Sequence, residues 1–308
     1  MSILRTAVRD YILMRRGLGY KFVQPAARLA GFVTFMEQRG AAVVTRDLAL
    51  EWAMQPINRR ATWGIRLTDV RGFAQYLRSL DPRTEVPPSG ILPSPSRRKP
   101  YLYSEAEIRD LLAAAFALPP SQALRRWTYH CLFGLLAATG LRISEALNLQ
   151  DKDVDLKSGI LTIRDTKFGK TRLVPVHPTT RLILQRYAKR RDTHRYPPRC
   201  SHFFVAERGG RLLIQYVHRA FWQLSRQTGL GSPADHTGPR LHDLRHRFAV
   251  QTLLNAYRTG QRVDVVLPVL STYLGHTCVR DTYWYLSACP ELLGHAVRRL
   301  ERHWEVTP

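Results

Sequence analysis

The 308-residue sequence has few cysteines, few acidic side chains and no long apolar run. Its four cysteines match no zinc spacing and are too sparse for a disulfide scaffold, so we expect a reducing, intracellular environment. Charged residues begin at Arg5 and no apolar stretch reaches membrane-spanning length, so we expect neither a secretory signal nor a membrane protein. No convincing carboxylate cluster for magnesium is present either. These absences predict a cytoplasmic protein that uses no metal and no cofactor.

Basic side chains are abundant. Lysine and arginine total 47 against 24 aspartates and glutamates, which gives a formal net charge of +23 and a pI near 10.7. An imbalance of this size favours a polyanionic partner, above all a nucleic acid. Composition alone also fits a ribosome-associated or merely basic protein.

The first 80 residues are typical of an all-helical domain, because no strand pattern occurs in them. The stretch PAARLAGFVTFMEQRG ends at Gly40, and Thr45 is a good N-cap for the stretch that follows. One face of the first stretch is apolar and comprises Leu29, Phe32, Val33 and Met36. Residues 81–100 contain six prolines, which predicts an extended linker.

Residues 101–308 predict a second, mainly helical domain with a small sheet, so the fold class is mainly α with a three-stranded sheet (α+β). Ser104 and Glu107 form a capping box, and Gly140 ends a buried helix. GILTIRD and TRLVPVH predict two strands around the turn KFGK, and SHFFVAERGG predicts a third. A helix is expected at 290–305, with an apolar stripe.

Four polar stretches interrupt these patterns: ATGLRISE, RDTKFGKTR, LHDLRH and LGHTCVRDTYWY. Each stretch, taken alone, has a purely structural interpretation, such as a salt bridge, a solvated turn, a helix cap or core aromatics. His242 and Arg245 lie one helical turn apart and therefore share a face. The side chains of interest in the four stretches are Arg142, Glu145, Lys167, His242, Arg245, His276, Tyr283 and Tyr285.

Taken together, these side chains suit displacement at a phosphodiester. Two guanidiniums can clamp the charge that builds on the non-bridging oxygens. A tyrosine hydroxyl titrates near ~10, so it needs a base to become a nucleophile, and the departing sugar oxygen needs an acid. Arginine, histidine, lysine and tyrosine supply these parts without a metal ion.

The chain resembles the tyrosine recombinases, or phage integrase family, through ATGLRISEAL, DTKFGKTRLVPV, LHDLRHRFA and YLGHTCVRDTYWYLS, which together span roughly residues 135–290. The order and spacing of the four motifs make the match specific. The resemblance implies two transition-state arginines, Arg142 and Arg245, and places Glu145 at a supporting acidic position that would orient rather than react. It implies Lys167 as general acid and His242 as acid/base. His276 would hydrogen-bond the phosphate, and Tyr285 would form a 3′-phosphotyrosyl link.

The resemblance also implies a compact Xer-like or transposon-type enzyme. It would bind double-stranded DNA, with residues 1–80 as the core-binding domain and 101–308 as the catalytic domain. It would act as a homotetramer, or a hetero-tetramer with related recombinases, through a Holliday junction, and a bacterial example would be nucleoid-associated. The alternatives are a type IB topoisomerase-like enzyme, a non-catalytic DNA-binding relative and, third, a metal-dependent nuclease.

The choice of nucleophile depends on helix geometry. In a continuous helix, His276 and Tyr283 would share a face, being seven residues apart. Gly275 is a poor residue to continue through and Thr277 is a plausible new N-cap, so we predict a break. The same-face argument then lapses, and the spacing of the family selects Tyr285, with Tyr283 as its rival.

Overall fold

The protein forms two compact units, Met1–Arg98 and Lys99–Pro308, in a computed structural model. The structure describes residues 3–55, 57–93, 99–164, 171–230, 238–276, 278, 282–283, 291–294, 297–298 and 301. Among these residues, no helix is both long and apolar enough to cross a lipid bilayer.

All the regular secondary structure in the described part of the first unit is helical. Its elements are α1 (Ile3–Gly17), α2 (Val23–Gln38), α3 (Arg46–Met54), a 3-10 helix (Ile57–Thr62) and α4 (Trp63–Arg78). The end of α2 and the start of α3 depend on neighbouring residues, as predicted. Gly40 takes a positive φ after α2, and Thr45 accepts a hydrogen bond from the Leu48 amide at 3.3 Å.

The core of the first unit is apolar. The face predicted for α2 is confirmed, since its four residues Leu29, Phe32, Val33 and Met36 are at most 2% exposed. The first part of the proline-rich stretch lies against this core, where Val86 and Leu92 pack. The Glu85 amide donates to the Val44 carbonyl at 2.9 Å, and the Arg71 side chain donates to Pro87.

The second unit is built around a buried helix. Its α-helices are α5 (Glu105–Phe116), α6 (Leu124–Thr139), α7 (Ile143–Asn148), α8 (Pro178–Asp192), α9 (Ile214–Gln227), α10 (Leu241–Arg258) and α11 (Val263–Leu274), and a 3-10 helix (Asp151–Asp153) precedes the sheet. Helix α6 is central and contacts α5, α8 and α10. The predicted capping box of α5 is confirmed, and α6 ends where Gly140 takes a left-handed conformation.

The small sheet has three antiparallel strands in the order β1 (Val154–Asp155), β2 (Ile160–Ile163), β3 (Arg172–Pro175). Ile163 pairs with Arg172, which fixes both ends of the predicted turn. The turn itself, 165–170, lies outside the described residues.

The prediction that SHFFVAERGG forms the third strand is wrong, because β1 takes that place. Residues 201–210 make only the isolated bridges Gln150–His202 and Val205–Arg211. The consecutive residues Phe203 and Phe204 are both buried against the ring of Tyr187, so the segment lacks the alternation of a half-buried strand.

The predicted terminal helix, 290–305, lies largely outside the described residues. Those that are described, 291–294, 297–298 and 301, are helical. Leu292 is 1% exposed and belongs to the same apolar cluster as residues of α10 and α11.

Candidate active site

The C-terminal end of α11 organises the candidate site. Gly275 ends the helix with φ 69° and ψ 48°, so the predicted break before His276 is confirmed. The carbonyls of Ser271 and Thr272 accept from the amides of His276 and Gly275 at 3.0 Å. The next carbonyls have no partner within the helix and lie at the negative end of its dipole, which favours cationic donors.

Arg142 is the first of these donors. It occupies the N-cap position of α7, two residues after the Gly140 stop. Its Nη2 donates to the Gly275 carbonyl at 3.2 Å and its Nη1 to the Leu274 carbonyl at 3.5 Å. The side chain keeps 30% of its surface exposed, so part of the guanidinium faces solvent.

Arg245 meets Arg142 at a shared acceptor. It projects from the second turn of α10, is 2% exposed, and donates to the carbonyls of Gly140 and Leu274, each at 2.8 Å. The Leu274 carbonyl therefore accepts from both predicted arginines, although they are far apart in sequence. Two fixed positive charges meet at one helix end.

Glu145 holds Arg142, one member of this pair. It lies in the first turn of α7, is 8% exposed, and accepts from Arg142 Nη1 at 2.8 Å and from the Arg142 amide at 3.0 Å. Burial alone would raise the pKa of this carboxyl. The hydrogen bonds and positive charges of Arg172 and Arg142 outweigh burial and lower the pKa to about 2. The carboxylate is therefore charged at any physiological pH.

Arg172 is a member of the site that sequence reasoning missed. Its guanidinium donates to both oxygens of Glu145, at 2.8 and 3.1 Å, and to the Tyr273 carbonyl at 2.8 Å. Its position in TKFGKTRLVPV gave no sign of this, because the partners lie 27 and 101 residues away.

His242 lies on the exposed side of α10, one turn before Arg245. It is not the helix cap, because Arg240 is the N-cap and its amide donates to Asp243 at 2.9 Å. Desolvation by the surrounding protein, followed by the charge of Arg245, lowers the pKa of His242 below its ordinary value. The neutral form of the imidazole therefore predominates at pH 7.

A second histidine supports the first. His246 follows His242 by one turn and the two rings meet edge to face, with centroids 4.8 Å apart. Burial, followed by the neighbouring His242, lowers the pKa of His246 to about 4. The His246 ring is therefore neutral where it contacts the His242 ring.

His276 follows directly on the residue that accepts from Arg142. Its Nδ1 lies 2.7 Å from the hydroxyl of Thr282, which is fully buried, so the ring orientation is fixed. Tyr283, the rival nucleophile, is 54% exposed. Lys167, Thr277 and Tyr285 lie outside the described residues.

The described part of the site is thus a cationic cluster with an oriented imidazole at its edge. It can hold an oxyanion, and its neutral histidine can accept a proton. No group of three His, Cys, Asp or Glu side chains that could hold a metal ion occurs within the described ranges.

Comparison with known proteins identifies the family of this chain. A family model described as the phage integrase family matches residues 103–291, more than half of the chain. The chain belongs to the phage integrase family. Membership confirms the predicted tyrosine recombinase family and, with it, the class of enzyme, a site-specific recombinase that exchanges DNA strands.

Two curated relatives show how much of the chain the similarity covers. The chain is 49% identical over 311 residues to the putative integrase/recombinase y4rB of Sinorhizobium fredii, covering 99% of both chains. It is 33% identical over 226 residues to the tyrosine recombinase XerD of Mycobacterium tuberculosis, covering 71% of this chain and 67% of that one.

A solved structure supports the fold. The Tn1549 transposon integrase in complex with transposon right end DNA matches 98% of this chain and 99% of its own, with a TM-score of 0.68 and 17% identity. At that identity the match shows the fold alone. It confirms the predicted class, a mainly helical fold with a small three-stranded sheet, for this member of the phage integrase family.

Proposed function

We propose that this chain cuts and rejoins duplex DNA at specific sites through a covalent 3′-phosphotyrosyl intermediate formed by Tyr285. The observation that carries the proposal is the meeting of Arg142 and Arg245 at one carbonyl, that of Leu274. Two guanidiniums fixed side by side suit the two non-bridging oxygens of a phosphodiester, whose charge grows in the transition state.

His242 would accept the proton of the attacking tyrosine. The tyrosine hydroxyl titrates near ~10, so at neutral pH it needs a base beside it. A neutral imidazole is such a base, and the lowered pKa of His242 keeps the neutral form predominant at pH 7. His276 would hydrogen-bond the scissile phosphate. Its contact with the Thr282 hydroxyl fixes the orientation of the ring, which favours this role.

The bond changes balance with these groups. The Tyr285 oxygen attacks phosphorus as its proton passes to His242, the bond from phosphorus to the 5′ oxygen breaks, and Lys167 donates a proton to that oxygen. In the rejoining step a 5′-hydroxyl from a partner strand gives its proton to Lys167 and attacks phosphorus, the bond from phosphorus to the Tyr285 oxygen breaks, and His242 returns its proton to that oxygen. The energy of the phosphodiester stays in the tyrosyl link, so we expect no need for ATP or a metal ion.

Double-stranded DNA is the partner that we propose. A formal charge of +23 favours a polyanion, and the Tn1549 integrase, which shares the fold, was solved with transposon DNA. In our proposal residues 1–80 form a DNA-binding domain, 81–100 a linker and 101–308 the catalytic domain. Four protomers act on two duplexes through a Holliday junction.

A suicide-substrate assay tests the nucleophile. Protein is incubated with a pool of short nicked duplexes whose central sequence is randomised, and adducts that survive SDS are recovered and sequenced. The nick lets the short cleaved fragment diffuse away, so the covalent adduct accumulates. We expect adducts from the wild type and from Tyr283→Phe, with or without a chelator, and none from Tyr285→Phe.

Two results would contradict the proposal. Adduct formation by Tyr285→Phe would transfer the nucleophile to another residue. DNA retention without any wild-type adduct would indicate a binding protein. A supercoiled plasmid without a selected site supplies the control, because a topoisomerase would relax it and a site-specific recombinase should leave it supercoiled.

A further inference from the structure

Arg172 holds the base of the β-hairpin. It is the first residue of β3 and pairs with Ile163, the last residue of β2. The chain that carries Lys167 therefore leaves the sheet at Ile163 and returns at Arg172. The contacts that hold the Arg172 side chain therefore also hold the end of the sheet at which the hairpin turn begins and ends.

The side chain of Arg172 reaches two other elements at once. Its Nη1 and Nη2 donate to the two oxygens of Glu145 at 3.1 and 2.8 Å, and its Nε donates to the Tyr273 carbonyl at 2.8 Å. Only 11% of the side chain is exposed. The planar fork of a guanidinium can make these three contacts together, whereas a lysine ammonium is a point charge on a flexible stem.

Glu145 also binds Arg142, so it connects Arg172 to Arg142. The oxygen that accepts from Arg172 Nη1 also accepts from Arg142 Nη1, at 2.8 Å. The other oxygen accepts from the Arg142 amide at 3.0 Å and from Arg172 Nη2. Each carboxylate oxygen therefore bridges the two arginines, and the orientation of Arg142 depends on where Arg172 holds Glu145.

The Arg172 guanidinium packs closely against Gly275, the residue that precedes His276. A Cβ added to Gly275 would lie 2.7 Å from Arg172 Nη1 and 2.9 Å from its Cζ. The backbone there also has φ 69°, which side chains rarely adopt. The absence of a side chain at Gly275 is thus what lets the guanidinium lie under the end of α11.

We propose that Arg172 is a positioning residue of the cleavage reaction, which fastens the hairpin base to Glu145 and to the end of α11 and so orients Arg142 toward the phosphate. This inference rests on the proposed function. It assigns Arg172 no contact with DNA, because each of its three nitrogen atoms donates to a protein oxygen and only 11% of the side chain is exposed.

The test measures cleavage and DNA binding separately. The substrate is a nicked duplex recovered from wild-type adducts, and the readouts are the single-turnover rate of adduct formation at saturating protein and the affinity for the same duplex. We expect Arg172→Ala to lower the rate on the order of 100-fold, because small displacements of positioned groups cost about that much. Its affinity for DNA should stay close to that of the wild type.

Two further variants separate the geometry of the Arg172 contacts from its charge and from the general effect of removing an arginine. Arg172→Lys retains the charge and should still lose at least about 10-fold in rate, because it cannot make the three contacts together. Arg181→Ala is the matched control. Arg181 also donates to a backbone carbonyl, that of Lys157 at 3.1 Å, but at the opposite end of the sheet. Its rate should remain within about 3-fold of the wild type.

A pH profile separates positioning from simple loss of structure. The charged groups that face Glu145 are Arg142 from the start of α7 and Arg172 from β3, while α11 contributes backbone carbonyls and Arg245 of α10 shares one of these with Arg142. Without Arg172, burial raises the Glu145 pKa again. Relative to the wild type, the rate of Arg172→Ala should therefore fall further as the pH is lowered.

The double variant Arg172→Ala/Glu145→Gln should lose that pH dependence, because it has no carboxyl to protonate. Titration of His242 is common to all variants and cancels in the ratio to the wild type.

The outcomes are distinct. A wild-type rate for Arg172→Lys, or a rate for Arg172→Ala equal to that of Arg181→Ala, overturns the positioning role while the proposed function stands. An absent wild-type adduct overturns the proposed function and this inference with it. Should Arg172→Ala not fold, Arg172→Lys and Glu145→Gln decide. Each should be slow alone, and the pair should be little slower than the slower single variant.

Discussion

The two units of the chain differ in what they bury. In the first, the buried residues that the structure describes are apolar with the exception of Thr84. In the second, the charged side chains Glu145, Asp153, Arg191, Asp243 and Arg245 are all buried. Burying a charge is costly unless the fold supplies partners for it. The second unit supplies them, and the candidate site lies among these charges.

Buried charge alone does not identify a functional residue, as two arginines of the second unit show. Arg191 is 6% exposed and donates to Asp151, to Asp192 and to the Phe203 carbonyl, so it connects α8 to neighbouring loops. Arg245 is 2% exposed and donates to two carbonyls at helix ends. The partners distinguish the two arginines, since helix-end carbonyls hold Arg245 next to Arg142.

The largest effect that we expect separates these two arginines. Arg245→Lys should lower the cleavage rate by roughly 10³-fold, because a lysine cannot reproduce the fork that holds the charge in place. Arg191→Lys should lower the unfolding temperature and leave the cleavage rate, measured well below that temperature, within a few fold. Single-turnover cleavage and thermal unfolding of both variants make the comparison. Equal losses of rate would remove the distinction between them.

A second prediction concerns acid stability. The folded-state pKa of Glu145 is about 2, against an ordinary value of 4.5, so its contribution is complete above about pH 5 and is lost as the pH falls. Between about pH 5 and pH 3, the stability advantage of the wild type over Glu145→Gln should shrink by about 2 kcal/mol. Denaturant unfolding at a series of pH values measures this.

The matching acid of the first unit provides the control. Glu37 forms an ion pair with Arg5 on the surface, where more than half of the arginine side chain is exposed. Glu37→Gln should show no comparable pH dependence, because exposed pairs are screened by solvent. A slope for Glu37→Gln as steep as that for Glu145→Gln would contradict the contrast between the two units.

The third effect is smaller and compares two glycines of the second unit with the same backbone angle. Gly275 and Gly260 both have φ 69°, but a Cβ meets Arg172 at the first and nothing within 4 Å at the second. Alanine should cost about 1–2 kcal/mol of stability at each position through backbone strain. Only Gly275→Ala should also lower the cleavage rate, by about 10-fold, because it displaces Arg172. Similar rates for the two variants would show that the close approach has no consequence.

Features set by neighbouring residues could be predicted from the sequence. The Thr45 cap, the capping box at Ser104 and the stops at Gly140 and Gly275 all occur as expected. Each depends on hydrogen bonds or backbone angles within one turn of helix. The arginines and histidines of the four motifs were singled out by residue type and order, and their proposed roles remain predictions.

Features set by distant residues could not be predicted. Arg172 finds Glu145 across 27 residues, and Arg142 finds the Gly275 carbonyl across 133. Backbone carbonyls occur at every position, so no residue type marks the helix end that collects three arginines. The wrong third strand has a similar cause, because its aromatic residues are buried by Tyr187, which belongs to another helix.

The smallest effect that we expect is the same in both units, because it depends only on local structure. Thr45 and Ser104 each accept from an amide in the first turn of a helix, at 3.3 and 3.2 Å. Alanine at either position should cost about 1 kcal/mol. Hydrogen exchange should show faster opening of α3 in Thr45→Ala and of α5 in Ser104→Ala, with the pH profile of cleavage unchanged in both. An altered pH profile in Ser104→Ala would mean that loosening the first turn of α5 is enough to disturb the charged site. The effects of the arginine variants could then no longer be assigned to the contacts that they remove.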